Sequence, residues 1–432
     1  MDSFIDSLQS YSGAIKRKGN KDGKWHQRYL KVEGMILQIS HDKDFQNIEK
    51  TLTIDSSTIV TVEGNSQINK FVVTCSNGVT NEFCATTANE MHRWVSMIRS
   101  AAPLPPRLSM DNFKILSVIG RGYYGKVMLA QLNGTDKVFA IKSLQKSRLA
   151  ELSAFDSVAC ERNILMKIKH PFIIQLCFAF QTPNKFYLGL EYAAGGELFY
   201  HMQKLGTIQI DNARLYIAEI ALALEHMHKL GIIYRDLKPE NVLLDSEGHI
   251  KLTDFGLAKE VAVGGTATTF CGTSEYLAPE VVNKNPYGKE IDIWALGVLA
   301  YEMIFGATPF YSQNLVDMFA AITQQDPFFP DGIDDRISDF LFRMLEKEPS
   351  KRITIDEIKE HPFFEGFDWE MVYQRSYQPS FIPDTVDITK PKNFDPEFTQ
   401  EVPADSFASP AMGDISHIQG FSFTNTGDAF RN

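Results

Sequence analysis

The alternation of apolar and polar positions changes character along the chain. From about Ser12 to Ala102 it consists of short alternating runs. Trp25 to Val32 alternates, as does Met35 to Ile39, while Phe71 to Cys75 and Asn81 to Ala85 flank Ser76-Asn77-Gly78, a hairpin turn signal. These runs predict strands. One helical period closes the segment: Thr87-Ala88-Asn89-Glu90 has capping-box spacing, and Met91, Trp94, Val95 and Ile98 share a face. Trp94 is therefore expected in the core. Ala101 to Arg107 is proline-rich and reads as a short stiff linker, rising about 3.1 Å per residue. From Phe113 to Phe364 strand-like runs come first, with Val127–Leu132 and Val138–Lys142 around Asn133-Gly134. Helical periods follow, as in Asp211 to Leu230, where Leu215, Ala218 and Leu222 take core positions. Beyond Phe364 the periodicity fades but aromatic residues recur, at Phe381, Phe394, Phe398, Phe421 and Phe423, which is unusual for a free disordered tail.

Bulk properties narrow the classes. The 432 residues suggest two or three domains. No apolar run reaches membrane-span length, so membrane contact would be peripheral. The opening MDSFIDSLQS lacks the basic and apolar regions of a secretory signal. Five scattered cysteines without metal-site spacing suggest reduced thiols of the cytoplasm. A net charge of −11 argues against general nucleic-acid binding. Against that acidic whole, the hairpin Ile15 to Val32 carries Lys16, Arg17, Lys18, Lys21, Lys24, Arg28 and Lys31 with one acid, Asp22. Such bases contribute roughly 1 kcal/mol each near an anionic surface. The same hairpin also fits a solvated basic face or a protein-binding one.

The densest chemistry lies in Tyr234-Arg235-Asp236-Leu237-Lys238-Pro239-Glu240-Asn241 and, a short strand later, Asp254-Phe255-Gly256. Asp236 can take a proton from an attacking hydroxyl. Lys238 can offset charge on a phosphoryl group. Asn241 and Asp254 offer the hard oxygen ligands that Mg²⁺ prefers. Upstream stands Gly120-Arg121-Gly122-Tyr123-Tyr124-Gly125-Lys126-Val127. The glycine spacing alone is weak, since dinucleotide-binding folds share it, but those glycines lead into a helix and these lead into a strand. A glycine loop between strands can fold over phosphates and bring backbone N–H groups close.

Taken in order, these motifs resemble the protein kinase family. The resemblance implies ATP and Mg²⁺, with Gly120, Gly122, Gly125, Val127 and Ala140 around the nucleotide. It gives Lys142 the α- and β-phosphates and Glu161 the role of its ion-pair partner. Leu190 would sit behind adenine, and Glu191 to Ala193 would bond it. Asp236, Lys238 and Asn241 would be catalytic, and Asn241 with Asp254 would hold the metal. Thr269 in Thr269-Phe270-Cys271-Gly272-Thr273 matches the activation-loop phosphorylation site of the AGC group, with Arg235 and Lys259 as its phosphate pocket. Thr273 matches the hydroxyl that bridges the catalytic Asp and Lys. Glu280 with Arg352 matches a buried ion pair, and Asp292 a brace of the catalytic loop. Glu197, Glu240 and Glu302 match carboxylates that read arginines before the phosphorylated residue.

The strand-rich start with its Trp-bearing helix resembles a pleckstrin-homology (PH) domain. In phosphoinositide-binding members bases at both ends of the first hairpin hold inositol phosphates; here Arg17 or Lys18 and Arg28 match, while His26 stands where a base is usual. The tail resembles the AGC C-terminal extension: Ser422 matches the hydrophobic-motif phosphate acceptor, and Ser406 the turn-motif site, with Ser409 before Pro410 a rival. The whole arrangement resembles the protein kinase B (Akt-like) family. It implies a multidomain α+β chain: a leader (1–10), a PH-type β-barrel or sandwich plus helix (11–102), a linker (103–111), a bilobal kinase (112–364) and the extension (365–432). Expected partners are proteins with basic Ser/Thr sites, phosphoinositide lipids and upstream activating kinases, in a cytoplasmic protein recruited to the plasma membrane. A membrane adaptor with secondary kinase activity is the alternative.

Overall fold

The computed structural model describes residues 11–19, 22–55, 58–62, 69–75, 79–101, 108–152, 154–262, 265–408 and 417–424. The leader 1–10, Lys21, the turn Ser76–Gly78, linker residues 102–107 and Ser409 lie outside the described residues. The chain forms two compact units, the second taking in residues 116–129 and 140–422.

The first unit is built on seven antiparallel strands: β1 (Tyr11–Lys18), β2 (Trp25–Glu33), β3 (Ile36–Ser40), β4 (Ile48–Thr53), β5 (Ile59–Val62), β6 (Lys70–Thr74) and β7 (Thr80–Cys84). Their order is β4-β3-β2-β1-β7-β6-β5. Helix α1 (Ala88–Ala101) closes it. Leu30, Ile39, Phe71, Phe83 and Trp94 are fully buried, so the alternation and the helical stripe both point into one core as expected. Strands β4 and β5 were not legible in the alternation. Thr87 Oγ1 accepts from Glu90 N at 3.1 Å, but Glu90 reaches back to Thr86 N (2.9 Å), one residue before the expected partner. In β1 the two-residue period puts Ile15 and Arg17 inside and Ala14 and Lys16 outside.

The next sheet holds β8 (Phe113–Gly122), β9 (Gly125–Leu132), β10 (Val138–Gln145), β11 (Leu176–Gln181) and β12 (Lys185–Leu190), ordered β11-β12-β10-β9-β8. The glycine motif is the turn between β8 and β9, which confirms a hairpin and not a strand-to-helix turn. A Cβ on Gly125 would fall 1.7 Å from the Ser143 carbonyl oxygen, so only glycine fits there, whereas Gly122 faces open space. Helices α2 (Lys146–Glu151) and α3 (Phe155–Lys167) follow β10.

The helical part holds α4 (Leu198–Leu205), α5 (Ile210–Lys229), α6 (Pro279–Val282) and α7 (Glu290–Phe305). Helix α7 is apolar nearly all round and correspondingly buried, with Trp294, Leu296 and Val298 inaccessible. Arg352 makes a bidentate pair with Glu280 (2.8 and 3.0 Å), both side chains buried. Among the described residues no helix is long and apolar enough to cross a membrane.

Candidate active site

One carboxylate holds the start of the segment Tyr234–Asn241. Asp292, in the first turn of α7, accepts from the backbone N–H of Tyr234 (2.9 Å) and of Arg235 (2.8 Å), and contacts His228 at 2.8 Å. These bonds fix Arg235 at φ +68°, a left-handed conformation rare outside glycine. Asp254 is also left-handed, at φ +55°. Two non-glycine residues are therefore held in costly conformations where the chemistry is expected.

Asp236 is buried. Its Oδ2 accepts from Asn241 Nδ2 at 2.8 Å and lies 3.3 Å from Lys238 Nζ. Burial raises the Asp236 pKa, with Lys238 and Asn241 opposing, which makes it a better proton acceptor than an exposed aspartate. Lys238 also donates to Thr273 Oγ1 at 3.1 Å. The bond expected from Thr273 to Asp236 does not appear among the described residues. Asn241 spends its amide N–H groups on the Asp236 carbonyl (2.7 Å) and carboxylate, which leaves its oxygen as the acceptor.

On β10, Lys142 Nζ lies 2.8 Å from Glu161 Oε1 on α3 and 3.0 Å from Asp254 Oδ1. Burial works to lower the lysine pKa, but Asp254 and Glu161 outweigh it, so Lys142 stays charged. Lys142 in turn is the main reason the Asp254 pKa is depressed. The donor set fits a hard divalent cation: an ionised carboxylate and an amide oxygen, leaving positions for water and phosphate oxygens. Among the described residues no three His, Cys, Asp or Glu side chains form a metal cage of their own.

These groups line one cleft of about 530 Å³, within the range of ligand pockets. Gly120, Gly122, Gly125, Val127, Ala140 and Leu190 line it as expected. Glu191 lines it too, but its side chain is otherwise engaged, with Lys251 Nζ at 2.7 Å and Gln175 N at 3.2 Å. Its N–H bonds to the Gln175 carbonyl (2.9 Å), so its own carbonyl is the group left to meet a ligand. Phe394 of the tail completes the wall, its ring 5.9 Å from Tyr192. In the sequence Phe394 stands out only as one of the tail aromatics, with no local signal that it reaches the cleft.

Glu197 and Glu240 sit at the same cleft. Burial, reinforced by Glu240 and Asp395, pushes the Glu197 carboxyl up to about 7. Glu240 also lines a neighbouring groove with Glu275, Tyr276 and Glu302. Tyr276 OH donates to Glu302, a contact the sequence did not suggest. Thr269 is exposed. Arg235 Nη1 donates to Tyr287 OH (3.1 Å), which donates to the Thr269 carbonyl (2.7 Å), so Tyr287 links the residue before Asp236 to the threonine segment. In the tail Phe421 is fully buried, 4.6 Å from the Phe186 ring, and Ser422 beside it is exposed.

In the first unit Arg17 and Arg28 both donate to one carboxylate, Glu49 of β4, and Arg17 Nη2 also reaches Asn81 at 3.1 Å. Lys18 instead pairs with Glu82 at 3.1 Å. Arg17 and Arg28 are thus brought together, while Lys18 is not part of that pair. The hairpin that looked almost free of acids receives them from β4 and β7.

Comparison with known proteins agrees with this geometry. Residues 113–364 match the protein kinase domain family and residues 9–103 the PH domain family. A RAC family serine/threonine-protein kinase homolog of Dictyostelium discoideum is 38% identical over 408 residues, 91% of this chain and 92% of that protein. The serine/threonine-protein kinase gad8 of Schizosaccharomyces pombe is 45% identical over 303 residues, 69% of this chain and 53% of that protein, so the match spans about half of its length. The serine/threonine-protein kinase Sgk1 of Xenopus tropicalis is 44% identical over 302 residues, 68% and 72% of the two chains.

Proposed function

The chain belongs to the serine/threonine protein kinase family, with a PH domain ahead of the catalytic domain, and we propose that it phosphorylates proteins at Ser or Thr preceded by arginines, under control of phosphoinositide lipid. One observation supports the reading most: Lys142 is held between Glu161 and Asp254 while Asn241 holds Asp236 at the same cleft.

ATP occupies that cleft, its adenine between Val127, Ala140, Leu190 and the Glu191–Ala193 backbone. Lys142 meets the α- and β-phosphates. Asn241 and Asp254 hold Mg²⁺, which when bound neutralises phosphate charge. Asp236 orients the substrate hydroxyl and takes its proton as the oxygen forms its bond to the γ-phosphorus and ADP leaves. Lys238 offsets charge on the transferring group. Positioning and electrostatics supply most of the catalysis.

Glu197, Glu240 and Glu302 read arginines two and three residues before the acceptor, and bidentate pairing makes them selective for Arg over Lys. Phosphate on Thr269 meets Arg235 and Lys259, and Ser422 carries the second activating phosphate. Arg17 and Arg28 take an inositol phosphate by exchanging Glu49 for it, which brings a cytoplasmic protein to the plasma membrane. A positional peptide array with and without phosphoinositide vesicles tests the substrate and the lipid parts together. The reading expects preference for Arg at positions −2 and −3, and lipid-dependent activation. Indifference to arginine would overturn the substrate assignment, and indifference to lipid the regulatory one.

A further inference from the structure

The tail from Asn393 to Phe430 carries six acids (Asp395, Glu397, Glu401, Asp405, Asp414 and Asp428) and no lysine or arginine. Two of them, four residues apart, make contacts that neither the sequence motifs nor the catalytic chemistry called for. Glu401 lies 2.6 Å from Lys126 Nζ and 3.0 Å from Arg121 Nη2. Those two bases stand on either side of the glycine turn, Arg121 at the end of β8 and Lys126 at the start of β9. One carboxylate therefore ties the two strands of the hairpin that covers the cleft.

Asp405 meets a more deeply buried base. Its Oδ1 contacts Lys185 Nζ at 2.7 Å and accepts from Ser143 Oγ at 3.1 Å and from the Ser406 N–H at 2.8 Å; its Oδ2 accepts from Tyr187 OH at 2.8 Å. Lys185 and Tyr187 lie on β12 and Ser143 on β10, directly after Lys142. The Ser143 carbonyl is the group against which Gly125 packs too closely for any side chain. The second acid thus grips the residue on which the glycine turn rests.

The neighbouring Ser406 has little left to bind with. Lys185 is buried and has three N–H donors. They already face Asp405, the Ser406 carbonyl and, at 3.4 Å, the Ser406 hydroxyl. Among the described residues, Gln145 Nε2, uncharged, is the other group at that hydroxyl, 3.2 Å away. A phosphate there would add about −1.5 to −2 charges beside the Asp405 carboxylate and compete with it for one ammonium.

We propose that Glu401 is a positioning residue for ATP, bracing the glycine hairpin over the phosphates, and that Asp405 is the fixed anchor of this strap, holding it to β10 and β12 without phosphate on Ser406. The strap acts through the hairpin backbone and touches no reacting atom. The proposal rests on the ATP reading of the cleft.

The test is steady-state kinetics on the purified 432-residue chain, with ATP and an Arg-x-Arg-x-x-Ser peptide varied separately. Binding of a fluorescent ATP analogue is measured alongside. Glu401→Gln is expected to raise KM for ATP about threefold to tenfold, the scale of one partly buried charge contact. Its peptide KM stays within about twofold, since the peptide carboxylates are elsewhere. Glu401→Asp, which keeps the charge, restores part of the loss. Asp405→Asn shifts ATP affinity in the same direction and speeds proteolysis of the tail around residues 401–408, while Ser406→Ala changes neither. Wild-type ATP affinity in Glu401→Gln would overturn the positioning role, as would equal losses for peptide and ATP. Ser406→Ala reproducing Asp405→Asn would overturn the anchor. A wild-type chain that fails to bind the analogue would overturn the ATP reading itself, and this proposal with it.

Discussion

At the scale of single residues, three carboxylates are pushed apart by their surroundings. Asp254 is kept ionised by Lys142, as a metal ligand must be. Asp236 is buried and made more basic, as a proton acceptor should be. Asp236→Asn is expected to lower kcat by at least about a thousandfold, while analogue binding and the melting temperature barely change, because the amide keeps the shape and loses the base. Glu197 is the third. Its carboxyl is raised to about 7, so below that pH the neutral form prevails and the anion that pairs with arginine appears as pH rises. For a peptide with Arg at the position Glu197 reads, kcat/KM should climb between about pH 6 and 8. Glu197→Gln should flatten that climb, and a flat wild-type profile would argue that Glu197 reads no charge. Asp236 could be singled out because the Tyr234–Asn241 segment places it by local spacing, whereas Glu197 was reached only through the resemblance. Tyr287, 18 residues from Thr269, was not legible, since a tyrosine that joins two loops leaves no periodic trace.

At the scale of elements, stability and lipid response separate cleanly. Arg352→Ala would leave Glu280 buried and unpaired, which typically costs about 3–5 kcal/mol. A drop in melting temperature on the order of 10 °C should follow, and a change within the error of the scan would refute a structural role. In the first unit, Glu49 occupies both guanidinium groups proposed to take lipid. Glu49→Gln should strengthen pull-down by phosphoinositide vesicles, and Arg28→Ala should weaken it. The reverse order would place the lipid site elsewhere. The first hairpin shows what alternation can and cannot give. The period of β1 puts Arg17 on the face of Ile15, which the residue types alone could have shown. That Glu49 from β4 would meet it could not be read, because the strand carrying that acid gave no clear alternation.

At the scale of the whole molecule, the order of parts was legible and the closure of the cleft was not. Glycine turn, lysine strand, catalytic loop and activation segment each carry their chemistry within a few residues, so their order specifies a kinase before any coordinate is known. The tail works by contacts across more than 200 residues: Phe394 at the cleft wall beside Tyr192, Glu401 on Lys126, Asp405 on Tyr187, Phe421 on Phe186. A recurring phenylalanine showed that the tail docks, and nothing local showed where. The chain is acidic overall, yet the tail finds bases to pair with around the glycine hairpin and β12, so its attachment should loosen as salt screens those pairs. One cleft is proposed to hold ATP, a base and carboxylates that select arginine. Transfer of labelled γ-phosphate from ATP to an Arg-x-Arg-x-x-Ser peptide, run beside the Ala-substituted peptide and the Lys142→Met chain, tests it most directly. Rapid labelling of the first peptide is expected, much slower labelling of the second, and none by Lys142→Met. Equal labelling of both peptides, or undiminished labelling by Lys142→Met, would contradict it.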